Sequence, residues 1–134
     1  MNLIKAERAP ENLLNSFLES NEDINSIAIK RSGYVVMKDG QIVGCFVLQG
    51  LESNRFWLKQ LFITKQEAMI LPILLKAILH LAEKNYAKEV YVHSHQPMVD
   101  WLLQSLQFHP QEGTLMLQSL PRRKGTWWSY KISS

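Results

Sequence analysis

The stretch RFWLKQLFITKQEAMILPILLKAILHLAEKNYAKEVYVHSH, residues 55–95, constrains the fold more than any other part of the chain. Its opening, RFWLKQLFIT, is rich in aromatic and branched side chains and reads as a strand. From about residue 69 to 85 the period lengthens, and Ile70, Ile73, Leu74, Ala77, Ile78 and Leu81 share one side of a helix that closes at Lys84-Asn85. KEVYVHSH is then a second strand. A strand, a helix and a strand in succession imply a right-handed crossover and a locally parallel pair.

The flanking segments extend this unit without repeating it. NLIKAE, residues 2–7, is a short strand, and PENLLNSFLES places Leu13, Leu14, Phe17 and Leu18 on one helical face. NEDINSIAIKRSG offers one or two amphipathic turns through Ile24, Ile27 and Ala28 before Gly33. Asp39-Gly40 between two β-rich runs marks a tight hairpin, because primed turns need residues that tolerate positive φ. A second reversal at Glu52-Ser53-Asn54 completes a three-stranded meander. Downstream, PMVDWLLQSLQF is a helix, and GTLMLQSL with TWWSYKIS forms a closing hairpin around Pro121 to Gly125. The order predicts an α/β protein (α+β mixed), with a mostly antiparallel sheet of about seven strands and helices on both faces.

A chain of 134 residues fits one domain, 1–134, and can bury enough surface to fold without a metal or disulfide. The lone Cys45 lies inside IVGCFVL and reads as a buried small hydrophobe. MNLIKAERAPENLL lacks a signal-peptide core, and no apolar run approaches a membrane span, so the expectation is a cytoplasmic protein with no membrane partner. The net charge of +3 is mild. Its one dense cluster, Arg122-Arg123-Lys124, falls short of a nucleic-acid-binding face and suits a solvated turn.

This order and these lengths resemble, over nearly the whole chain, the GNAT superfamily of acyl-CoA-dependent N-acyltransferases. The resemblance implies a three-layer fold whose fourth strand pairs with the pantetheine arm of acetyl-CoA, here through Leu61, Phe62 and Ile63. It also implies a pyrophosphate loop after that strand. The family's loop motif has Gln or Arg, two residues, Gly, one residue, then Gly or Ala. Gln66 fills the first position of this motif, while Met69 and Leu71 replace its two small residues. With Ala68 and Ile70 these are the expected cofactor contacts, together with Gln96, which stands where the family has Asn. Of the family's later aromatic and Gly-Phe positions, filled here by Leu103 and Gln107-Phe108, only the Phe is kept.

Two starts for the crossover helix follow from the residues. Thr64-Lys65-Gln66-Glu67 has the pattern of a capping box, which would occupy the N–H groups an anion needs and set a carboxylate beside it. Alternatively Pro72 is the first-turn proline and QEAMIL is an irregular connector. The second start is preferred, since a proline deep in a helix costs about 3 kcal/mol.

His93 and His95 alternate along a strand and so face one side, with Ser94 opposite. They are the expected general bases for an acceptor amine, small molecule or peptide. No Cys, Asp or Glu in the segment completes a metal set. Trp57, Trp101, Trp127 and Trp128 are core candidates, except that adjacent Trp127 and Trp128 point opposite ways, so that one is expected to face outward. Lys59 and Gln60 lie on opposite faces of the fourth strand. His80 is expected on a helix surface and His109 in a loop. The reading is an N-acetyltransferase using acetyl-CoA. The alternative is a non-catalytic module that docks, or forms a homodimer, through the apolar run 68–75. In the bland version of that run, Ile70, Ile73 and Leu74 simply pack under the helix.

Overall fold

The computed structural model describes residues 1–111 and 120–132. β1 (Asn2–Lys5) passes through a 3-10 turn at Ala6–Arg8 into α1 (Glu11–Glu19), and α2 (Ser26–Ser32) leads into β2 (Gly33–Lys38). β3 (Gln41–Gly50) and β4 (Arg55–Ile63) complete the meander around a 3-10 turn at Glu52–Asn54. A second 3-10 turn, Lys65–Ile70, runs into α3 (Leu71–Lys84), followed by β5 (Glu89–Ser94), α4 (Pro97–Ser105), β6 (His109–Pro110) and β7 (Thr126–Lys131). Among the described residues seven strands form one sheet in the order β1-β2-β3-β4-β5-β7-β6. The expected mixed, mostly antiparallel sheet is therefore present. The GTLMLQSL arm of the closing hairpin lies outside the described residues, apart from Leu120.

The chain divides into two compact units, Met1–Leu48 with Leu58–Leu71, and Gln49–Trp57 with Pro72–Ser134. In the first, β1 and β3 flank β2 in antiparallel register, Leu3 opposite Val36 and Val35 opposite Cys45. The predicted hairpin turn is made by Asp39 and Gly40, with φ of 53° and 77°. Leu14, Phe17 and Leu18 of α1 bury their shared face with Ile24, Ile29, Val35, Cys45 and Val47. Burying side chains of this size contributes roughly 1.5–3 kcal/mol each, before entropy is subtracted. The Phe62 ring of β4 meets Phe17 edge-on at 5.9 Å. Asn25 caps α2 by accepting the Ala28 N–H at 3.1 Å. Ile27, expected inside, is exposed. With the helix beginning at Ser26, Ile29 takes the buried position, and a residue two places earlier points about 200° away.

The second unit is built on the β5–β7 pair, where Tyr91, Val92 and His93 stand opposite Ser129, Trp128 and Trp127. Alternation places Tyr91, His93 and Trp127 on one face and Val92 and Trp128 on the other. On the first face Trp127 packs with Trp57, Tyr91 and Leu120. There the buried Glu89 accepts hydrogen bonds from Arg55 Nε and the Tyr91 hydroxyl, both at 3.1 Å. Burial, reinforced by the Glu89 charge, pushes Tyr91 up to about 12.

Four expectations are corrected in this unit. Both Trp127 and Trp128 are buried, because each face of β7 is covered. The outward tryptophan is Trp101, 69% exposed, since Leu103 takes the buried stripe of α4. Ile73 is 62% exposed rather than packed under α3, whose buried stripe is Leu74, Leu75, Ile78 and Ala82. His109 belongs to β6, opposite Ser129, and not to a loop.

Candidate functional site

In the first unit β4 contains an irregularity that its sequence does not announce. Gln60 has φ of 55° in mid-strand, a conformation that costs a residue with a side chain about 1–3 kcal/mol and that concentrates at functional sites. It interrupts the alternation on which opposite faces for Lys59 and Gln60 were expected. Nothing in the residue type signals it, because asparagine, aspartate and glycine are the usual occupants of that region. The buried Cys45 thiol donates weakly to the Gln60 carbonyl at 4.0 Å.

Beyond Gln60, Leu61, Phe62 and Ile63 are each half-buried, and the Thr64 N–H donates to the Val43 carbonyl at 2.9 Å, which anchors the end of the strand. The connector is then an ordered 3-10 turn of six residues, closed by the Glu67 N–H on the Thr64 carbonyl and the Leu71 N–H on the Ala68 carbonyl. The helix proper begins at Leu71 with Pro72 in its first turn, so the second of the two expected starts is the one adopted. No capping box forms: the Thr64 side chain makes no cap hydrogen bond. Glu67 is instead bound by Lys38 at the end of β2, at 2.7 and 3.1 Å. That hydrogen bond raises the Lys38 pKa, partly opposed by desolvation.

The side chains of the turn are arranged differently from what an obstructed loop would require. Gln66 and Ala68 are exposed, and Met69 extends into solvent at 93% exposure. Ile70 and Leu71 are half-buried. Lys38 was missed by sequence reasoning, and no local signal would have found it, since the hairpin brings it to Glu67 from 29 residues away.

In the second unit His93 and His95 do come together, with ring centroids 6.2 Å apart. Ser94 points to the opposite face, where it is buried, and its hydroxyl donates to the Gln96 carbonyl and accepts the Gln96 N–H. His95 is exposed, as is Gln96. His93 is half-buried, edge-on to Trp127 at 5.1 Å, and its Nε2 is buried without a hydrogen-bond partner of good geometry. Desolvation pulls its pKa down, the Lys124 carbonyl opposes this, and the Arg123 and His95 charges add to the lowering. Gly125 presses on the ring: a methyl group there would lie 3.1 Å from His93 Nε2 and 2.4 Å from the Ser94 carbonyl oxygen.

No group of three metal-ligating side chains occurs among the described residues, and no helix among them is long and apolar enough to cross a membrane. Cavities of about 450 Å³ beside Glu89 and Ser129 and about 430 Å³ beside His80 and Tyr130 include none of the sequence-predicted site residues.

No family model matches the sequence, and no curated protein does. Solved structures do match. A GNAT-family acetyltransferase from Staphylococcus aureus Mu50 superposes with a TM-score of 0.74 at 15% identity, covering 98% of this chain and 99% of that one. An acetyltransferase from Bacillus subtilis in complex with CoA gives 0.70 at 13% identity, with 98% and 99% covered. N-acetylglutamate synthase from Neisseria gonorrhoeae, complexed with coenzyme A and N-acetyl-glutamate, gives 0.73 at 12% identity, covering 99% of this chain and 35% of the longer protein. The strand order, the turn after β4 and these superpositions together establish that this chain has the GNAT acetyltransferase fold.

Proposed function

We propose that the protein is an acyl-CoA-dependent N-acetyltransferase that modifies an amine. The observation that carries this reading is the junction at residues 61–71, in which β4 ends in an ordered turn and α3 begins directly behind it, on a GNAT fold. A helix start of this kind offers backbone N–H groups and the positive end of the helix dipole to a diphosphate.

The residues present are compatible with that ligand. Met69 reaches into solvent, the small Ala68 is exposed, and the Glu67 carboxylate is already neutralised by Lys38. In this reading the backbone of Leu61, Phe62 and Ile63 pairs with pantetheine, and Gln66 through Leu71 receive the diphosphate. Bound acetyl-CoA would supply a thioester carbonyl open to attack by a neutral amine. Within the second unit the bases offered for an amine proton are His95, exposed to solvent, and His93, whose pKa desolvation lowers. Most of the rate would come from positioning and oxyanion stabilisation, so the missing family aromatic is tolerable.

Calorimetric titration with acetyl-CoA and with a longer acyl-CoA tests the reading. Binding of acetyl-CoA is the expected result, and no binding of either at millimolar concentration overturns it. Binding of the long chain alone would redirect the substrate toward apolar acyl groups.

A second reading is favoured by the exposure of Met69 and Ile73, each an apolar side chain in solvent. It is a docking or homodimer surface on residues 68–75. A monomer by light scattering at high protein concentration removes its dimer form.

A further inference from the structure

Glu67 is the one acidic residue between Lys65 and Leu71, and a carboxylate has the wrong sign for a turn that receives a diphosphate. Both of its oxygens are nevertheless occupied. Lys38 Nζ donates to Oε2 at 2.7 Å and to Oε1 at 3.1 Å. The side chains are 36% and 23% exposed, so the pair is screened less than one lying wholly in solvent. Lys38 sits where β2 enters the Asp39-Gly40 turn, at the end of a strand whose pairing with both neighbours holds its backbone in place.

The tie also bears on the backbone. Runs of 3-10 helix seldom exceed three or four residues, because their hydrogen bonds are poorly aligned. This one has six residues, and its Thr64 hydroxyl gives no cap. The Lys38–Glu67 pair joins its third residue to the β2–β3 hairpin and supplies a restraint that the turn's own hydrogen bonds do not.

We propose that Lys38 is a positioning residue of the acyl-CoA site: by pairing with Glu67 it cancels the one negative charge of the 65–71 turn, so that a loop without glycine accepts a diphosphate. This rests on the acyl-CoA reading above and deepens it. Lys38 acts through Glu67 and need not touch the ligand. Where the family motif secures phosphate binding with small residues, this chain does it with an ion pair between residues 29 positions apart.

The test is calorimetry on the wild type, Lys38→Ala, Glu67→Gln and the double variant, each titrated with coenzyme A and with pantetheine, which has the same arm without the diphosphate. Lys38→Ala should weaken coenzyme A binding about tenfold, because it bares a carboxylate close to the ligand charge, and should leave pantetheine binding unchanged. Glu67→Gln should bind coenzyme A at least as tightly as the wild type, and the double variant should match it. Amide exchange at residues 65–70 in the unliganded protein should quicken in Lys38→Ala. If the wild type binds coenzyme A and Lys38→Ala binds it equally well, the proposal falls and the acyl-CoA reading stands. Equal losses for coenzyme A and pantetheine, or no rescue in the double variant, also overturn it, since the effect would then not be one of charge at the diphosphate. A wild type that binds neither ligand overturns both readings.

Discussion

Trp128 donates its indole N–H to Asp100 Oδ1 at 2.8 Å, and this bond ties β7 to α4. The ring is 6% exposed, so the N–H has no ready access to water if its acceptor is lost. The bond explains why two adjacent tryptophans on one strand can both be buried: Trp127 finds the Pro121 carbonyl at 3.2 Å on one side, and Trp128 finds Asp100 on the other.

Asp100→Ala should therefore destabilise the protein by about 1–3 kcal/mol, the cost of leaving a buried donor unpaired. Asp100→Asn keeps a side-chain oxygen and should lose less. Urea denaturation of the three proteins checks this, and equal losses for both substitutions would show that the charge at the start of α4, not the hydrogen bond, matters.

Gly125 has φ of 111° and lies so close to β5 that a methyl group would sit 2.4 Å from the Ser94 carbonyl oxygen. Gly125→Ala then fails on two grounds, a backbone region closed to alanine and a collision with main chain that cannot rotate away. The expected loss is more than about 1 kcal/mol. A crystal structure of the variant should show the 121–125 segment moved off His93. Unchanged stability in denaturant would contradict the close packing described.

The apolar run 68–75 gives a direct contrast. Met69 is 93% exposed and Leu74 is fully buried, though both belong to one apolar run. Met69→Ala should alter stability by less than about 0.5 kcal/mol. Leu74→Ala should cost about 2–5 kcal/mol through lost burial and the cavity left behind. Thermal unfolding compares the two, and similar losses would mean that Met69 is covered in solution by a partner or a second copy.

These contrasts show what the chain discloses without coordinates. The lengthening period after residue 69, the Asp39-Gly40 turn and the first-turn role of Pro72 are local matters, set by φ preferences and by which face repeats, and each was readable. The errors at Ile27, Ile73 and Trp101 have one cause. An apolar-rich helix has more hydrophobic residues than one buried face accepts, and its rotation is set by what it packs against, not by its own sequence. The Lys38–Glu67 and Trp128–Asp100 contacts join residues 29 and 28 positions apart, so they depend on strand register and helix placement. The left-handed Gln60 has no compositional mark at all.

Cys45 lies fully buried in β3, and desolvation pushes its thiol up to about 12 from 9.0. The thiolate is the reactive form, so the folded protein should resist an aromatic disulfide reagent at pH 8 and release one equivalent of thiol only on unfolding. The folded state holds this proton more tightly than the unfolded state. The contribution is thus fully present below about pH 9 and is lost as pH rises toward 12. Rapid labelling of the native protein would mean that β3 opens far more often than a buried central position allows.

His93 bears a depressed pKa, and the sign of its effect is the reverse. Below its ordinary value of 6.5 the unfolded chain takes up a proton that the folded chain resists, because the ring is desolvated against Trp127 and Gly125 with the Arg123 and His95 charges nearby. The Lys124 carbonyl and Asp100 offset only part of this. Stability should be intact above pH 6.5 and fall as pH drops through the folded pKa. His93→Gln, which cannot be protonated, should flatten the fall in urea midpoint between neutral and mildly acidic pH, whereas His95→Gln should leave most of it in place. The pair separates the buried imidazole from the exposed one. If both substitutions left the pH profile of the wild type unaltered, the acid sensitivity would belong to other groups and His93 would be charged at no cost in the fold.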